Sequence, residues 1–151
     1  MIGQHRAPLR LSRGRRYMVY SIGWTLWASG VLWLLFHYAL MRRGPFGDEP
    51  HPLESWWLRL HAAMAFATLW SFGLVWGVHI VAGWHTRRQR LSGAIAVAFL
   101  VWLSGTGYLL YYLTDDHWRG ISAIAHWTTG LALPAVLTAH IVLARRRARR
   151  Y

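Results

Sequence analysis

The chain has 151 residues, 55% of them hydrophobic, with 11 Trp, five acids and a formal net charge of +12. Charged residues make up only 15%, against about a quarter in a soluble domain, and they lie between long apolar stretches, so an ordinary soluble enzyme is excluded and one integral membrane domain is expected. There is no cysteine, which excludes disulfides, thiolate zinc sites, iron–sulfur clusters and covalently attached haem, whose attachment needs C-x-x-C-H.

Four stretches are long enough for a hydrocarbon core of about 30 Å, which takes roughly 20 residues: 17–41, 56–84, 91–113 and 120–144. They predict an all-α, four-helix transmembrane bundle. The first stretch is too long for a signal-peptide core and no convincing small-residue cleavage site follows it, so it reads as a true span. An outer loop over 42–55 leads to the second span, which carries His61 and His79. A tight Arg87-Arg88-Gln89-Arg90 turn follows, then the third span, a short link over 114–119, and the fourth span with His126 and His140.

Arginine sets the expected orientation. Thirteen of the 17 basic residues fall in the N-terminal arm (Arg6, Arg10, Arg13, Arg15, Arg16), the second loop (Arg87, Arg88, Arg90) and the C-terminal tail (Arg145, Arg146, Arg147, Arg149, Arg150), with no acid among them. The opposite side holds Arg42, Arg43, Arg59 and Arg119 with all five acids, Asp48, Glu49, Glu54, Asp115 and Asp116. The positive-inside rule then puts both termini in the cytoplasm. The positive charge is thus a topology and lipid-headgroup signal, which argues against a nucleic-acid partner.

Histidines inside the spans are the candidate chemistry, because ionisable groups there are costly and usually functional. The 18 residues from His61 to His79 make about five helical turns, and the 14 from His126 to His140 about four, so each pair shares a face. With both termini inside, the second and fourth spans run parallel, and depth pairs His61 with His126 and His79 with His140. Two helices that each offer an upper and a lower imidazole suit two stacked haems, whose iron is commonly held by axial His. On the ligand faces, Ala65 and Gly130 sit one turn below the outer histidines and offer clearance for a flat macrocycle. Ala65 belongs to a stripe with Thr68, Phe72 and Val75. Gly73 and Gly77, on the back of the second span, suit close helix packing. The spacings of 18 and 14 imply an offset of about 6 Å at one haem. Core histidines bonded to carbonyls or hydroxyls are the alternative reading, and a bare metal ion is disfavoured because each pair lacks a carboxylate.

Other polar groups are candidates for proton or quinone chemistry: His37 near the outer end of the first span, His85 at the inner boundary, and Asp115, Asp116 and His117 in the second outer link. Arg119, seven residues before His126 on the same face, is a candidate partner for a haem propionate. Each has a plainer reading as an interfacial or solvated residue. His5 and His51 read as loop residues. Tyr108, Tyr111, Tyr112, Trp56, Trp57 and Trp118 fit the aromatic belt, whereas Trp33, Trp70, Trp76 and Trp102 lie deeper and suit packing against helices or cofactors.

Leu60-His61, Gly77-Val78-His79, the stretch Ser104-Gly105-Thr106-Gly107-Tyr108 with Leu109-Leu110-Tyr111-Tyr112, and His126-Trp127 through Gly130-Leu131 to Pro134 and His140 resemble the small bacterial four-helix b-type cytochromes, the cytochrome b561-like membrane subunits and related four-span families. The likeness covers roughly residues 51–147 and leaves the first span generic. It implies two b haems with His61, His79, His126 and His140 as axial ligands, in a multi-pass protein of the bacterial inner membrane. It also implies electron transfer between membrane quinone or quinol and a periplasmic or membrane redox protein, such as a multihaem cytochrome or an iron–sulfur protein. The 18-against-14 spacing departs from the equal pairs familiar there. Two functions from other classes compete: a structural anchor or assembly subunit of a larger complex without its own redox cofactor, and a His-relay transporter, disfavoured because no intramembrane carboxylate is expected.

Overall fold

A computed structural model describes residues 12–85 and 90–149. Arg6, Arg10, His5, the Arg87-Arg88-Gln89 turn and Arg150 lie outside the described residues. The protein is all-α, apart from one small hairpin, with four helices long and apolar enough to cross a membrane. It divides into two compact units, Met1–Arg88 and Gln89–Tyr151.

In the first unit, α1 (Arg13–Tyr38) starts where the Ser12 side chain accepts from the Arg15 amide, satisfying one of the donors a helix start leaves open. A two-stranded hairpin follows, β1 (Arg42–Gly44) and β2 (Gly47–Glu49), where a loop was expected. Its register sets Arg42 opposite Glu49 and Arg43 opposite Asp48, so opposite charges face each other across the strands. Gly47 turns the chain at φ 128°, a region that suits glycine. The helix α2 (Pro52–Val75) starts with proline in its first turn, and the His51 imidazole caps it by accepting from the Leu53 amide. It continues through a π turn (Trp76–Val81) into the short α3 (Ala82–His85), making one span of 34 residues.

The second unit is a hairpin of α4 (Arg90–Tyr112) and α5 (Asp116–Ala148). The latter begins four residues before the expected span at 120, because the Asp115 carboxylate accepts from the Trp118 amide and Asp116 stands in the first turn. Acids there favour a helix start, a signal that the reading of 114–119 as a link overlooked. It runs on past Pro134, whose ring leaves one backbone bond unmade.

Among the described residues no hydrophobic side chain is fully buried, and Ser29, Ser71 and Thr106 are the buried polar ones. Thus the apolar surface of these helices faces outward, as lipid contact requires, and what is most enclosed is small and hydroxylated. Two of those three hydroxyls touch histidines.

Candidate functional site

In the first unit, α1 and α2 meet along a register with two polar contacts. Near one end, His37 Nδ1 lies 2.7 Å from Glu54 Oε1. Seven residues along each helix, about two turns, Gly30 on α1 faces His61 on α2. The matching separations are what an antiparallel pair requires. At that second contact His61 Nδ1 is 2.9 Å from the Leu26 carbonyl oxygen and 3.4 Å from Ser29 Oγ. The carbonyl can only accept, so Nδ1 carries the hydrogen and donates. The approach depends on Gly30, because a Cβ there would stand 2.9 Å from His61 Cε1 and 3.0 Å from Nδ1.

The second unit repeats this arrangement twice. Thr106 Oγ1 on α4 is 3.0 Å from His126 Nδ1 on α5, and Ser92 Oγ is 3.0 Å from His140 Nδ1. Fourteen residues separate Ser92 from Thr106 and 14 separate His126 from His140, so both contacts fall in register in one antiparallel hairpin. Each hydroxyl is followed by a glycine. A Cβ on Gly107 would lie 3.2 Å from His126 Cε1, and one on Gly93 would lie 3.8 Å from His140 Cε1. Three of the four candidate histidines therefore have the same setting: a neighbouring helix offers a hydroxyl or carbonyl to Nδ1 and a glycine to the flank of the ring. Metal-bound imidazoles usually have such a partner at the other ring nitrogen, which fixes their orientation.

His79 lies in the π turn, whose i→i+5 bonding is rare and often found at functional sites. Equal spacing along an ideal α-helix placed His79 on the face of His61. A π turn is wider and turns less per residue, so His79 falls short of that face and the rise is shorter. Opposite it in sequence terms, the path from His126 to His140 contains Pro134. Ideal-helix arithmetic therefore does not carry over unadjusted to His61 and His79, whereas α5 is α-helical throughout from His126 to His140.

The remaining predicted residues divide. Ala65 and Thr68 are half-buried on α2, and Thr68 Oγ1 is a buried polar atom with no hydrogen-bond partner. Gly130 on α5 is directed at α4, where a Cβ would meet Leu103 Cδ2 at an ordinary 3.8 Å. Gly73 and Gly77 have nothing within 4 Å of a built Cβ among the described residues. His37 is stacked on Trp33, with ring centroids 4.6 Å apart, and its partner Glu54, expected in the outer loop, is largely enclosed. Glu54 stands in the first turn of α2, and that helix start, nearer the chain start than residue 56, carries it back against α1. Asp115 is the cap of α5, whereas Asp116, His117 and Arg119 are exposed in its first turns. His117 is edge-on to Trp118, and His85 ends α3 exposed. Of the tryptophans expected to lie deeper, Trp70, Trp76 and Trp102 are all exposed, and Trp102 lines an open cleft with Ala98, Phe99 and Thr129.

The sequence reading missed Ser29-Gly30 and Ser92-Gly93. Their signal was present: Ser/Thr-Gly pairs inside apolar spans, two of them separated by the spacing of the histidines they meet. The first span is therefore more than a generic one, since it supplies the acceptor for His61. Among the described residues no three His, Asp or Glu side chains converge as a ligand set for a bare ion. Comparison of the chain with protein-family models, curated proteins and solved structures found no match.

Proposed function

We propose that this is a membrane cytochrome b whose four span histidines hold two b haems, with His61 paired to His126 and His79 to His140. Both termini would face the cytoplasm of a bacterial inner membrane. The observation that carries the reading is the repeated treatment of Nδ1 at His61, His126 and His140. With Nδ1 engaged, iron would be met through Nε2, the arrangement usual for ligating imidazoles. The donor set fits haem in other respects. It is imidazole nitrogen without thiolate, glycines lie against the rings of His61, His126 and His140, and Thr68 places a buried polar oxygen on the stripe below His61.

Bound haem would supply one-electron transfer, and two such centres near opposite membrane faces would conduct electrons across the bilayer. The exchange partners on this reading are quinone or quinol and a periplasmic or membrane redox protein. The residues of this chain would orient the ligands at His61, His126 and His140. An absorption spectrum of the detergent-purified protein is the test. A reduced b-type spectrum with about two haems per chain is expected, and His126→Leu should remove one of them. A colourless protein overturns the reading in favour of a structural anchor, and two haems retained in His126→Leu would refute the pairing.

A further inference from the structure

The hydroxyl of Thr106 has a second set of contacts that settles its direction. Besides His126 Nδ1 at 3.0 Å, Oγ1 lies 2.9 Å from the Trp102 carbonyl oxygen and 3.3 Å from that of Leu103, on its own helix. A hydroxyl has one hydrogen and two lone pairs. Both of those carbonyl contacts place the Thr106 hydrogen on a group that only accepts, and with the hydrogen there the oxygen accepts from His126. Nδ1 of His126 therefore bears the hydrogen, and the lone pair of the ring is on Nε2.

The same logic holds at the other unit. Ser29 Oγ donates to the Leu26 carbonyl at 2.9 Å, and that carbonyl also receives His61 Nδ1. Ser29 and Thr106 are also two of the three buried polar residues described, so water does not compete for these hydrogens. Two elements that differ in sequence thus reach one electronic result: a hydrogen held on Nδ1 by an acceptor whose own direction is fixed.

We propose that Thr106 in the second unit and the Leu26 carbonyl in the first are positioning groups. They lock His61 and His126 in the Nε2-lone-pair tautomer and raise the donor strength of that nitrogen toward an electron-poor metal. This rests on the haem reading of the two histidines. An acceptor on Nδ1–H makes the imidazole a stronger donor, which favours the oxidised metal and lowers its reduction potential.

Thr106→Val keeps the branched shape and removes the acceptor, and Thr106→Ser restores it. Haem affinity would be measured by titrating haem into the apoprotein, and the midpoint potential by spectroelectrochemistry. Thr106→Val should weaken haem binding at one site by about tenfold or more, the usual effect of losing such a partner, and raise the potential of that haem. Thr106→Ser should return both values to those of the wild type. Ser29→Ala leaves Leu26 in place and should change either value little. Ser104→Ala is the control, because Ser104 Oγ donates to Leu100 O on its own helix. Unchanged affinity and potential in Thr106→Val overturn the inference while leaving a two-haem wild type intact. A wild type that binds no haem overturns the reading beneath it. If Thr106→Val does not fold, Thr106→Ala takes its place: weaker haem binding and a raised potential there support the acceptor role, and values equal to those of the wild type overturn it.

Discussion

Gly30→Ala is the sharpest probe of the first unit. A Cβ at this position would lie 2.9 Å from Cε1 and 3.0 Å from Nδ1 of His61. Carbon contacts are favourable at about 3.5–4.0 Å, so the ring must retreat by about 0.6–1 Å. His61 Nδ1 now sits 2.9 Å from the Leu26 carbonyl, and a retreat of that size carries it to about 3.5 Å or more, beyond a useful hydrogen bond. The substitution itself favours the helix, since alanine is preferred over glycine in a helix interior by roughly 0.5–1 kcal/mol. Loss of function would therefore not arise from a weakened helix. Gly23→Ala isolates that effect, because a Cβ at Gly23 on the same helix meets nothing within 4 Å. The assay is haem content per chain from the reduced spectrum, with thermal stability measured alongside. Gly30→Ala should lose about one of two haems or bind it at least tenfold more weakly, whereas Gly23→Ala should keep both. Wild-type haem content and affinity in Gly30→Ala would refute the claim that this close approach holds His61 in place.

The two glycines of the second unit extend this into a graded series. Gly107→Ala, with a built Cβ 3.2 Å from His126 Cε1, should require a shift of a few tenths of an ångström and weaken haem binding less than Gly30→Ala, whereas Gly93→Ala, at 3.8 Å from His140 Cε1, should bind haem as the wild type does; the three affinities in any other order would contradict the contact distances. Asp115→Ala removes the cap of α5 and should destabilise the protein by about 0.5–2 kcal/mol in thermal or denaturant unfolding, without altering haem stoichiometry. A change in stoichiometry with unaltered stability would instead make Asp115 part of the site.

Much of this protein is legible along the chain because a bilayer imposes strong rules. Hydrocarbon thickness sets the length of the four apolar spans, and the cost of ionisable groups in lipid makes His61, His79, His126 and His140 conspicuous without any fold. Composition alone also removes every thiolate centre from consideration. Local signals of weaker amplitude were harder to read. The acids at Asp115 and Asp116 read as a loop although their position caps a helix, and the opposed charges of residues 42–49 gave no strand alternation long enough to mark a hairpin.

What the linear order could not supply is which helix stands beside which histidine. Ser29-Gly30 and Ser92-Gly93 look like small residues tolerated in a span until α1 and α4 are laid against α2 and α5. Only then does the register bring a carbonyl or hydroxyl to Nδ1 and a missing Cβ to the flank of each ring. The π turn around His79 is hidden for a related reason, since the choice between i→i+4 and i→i+5 bonding has no simple residue signature in Trp76–Val81. The four histidines and their membrane setting belong to the sequence. The atoms that orient His61, His126 and His140 come from residues 35, 20 and 48 positions away, and only packing between helices brings groups so far apart within hydrogen-bond reach.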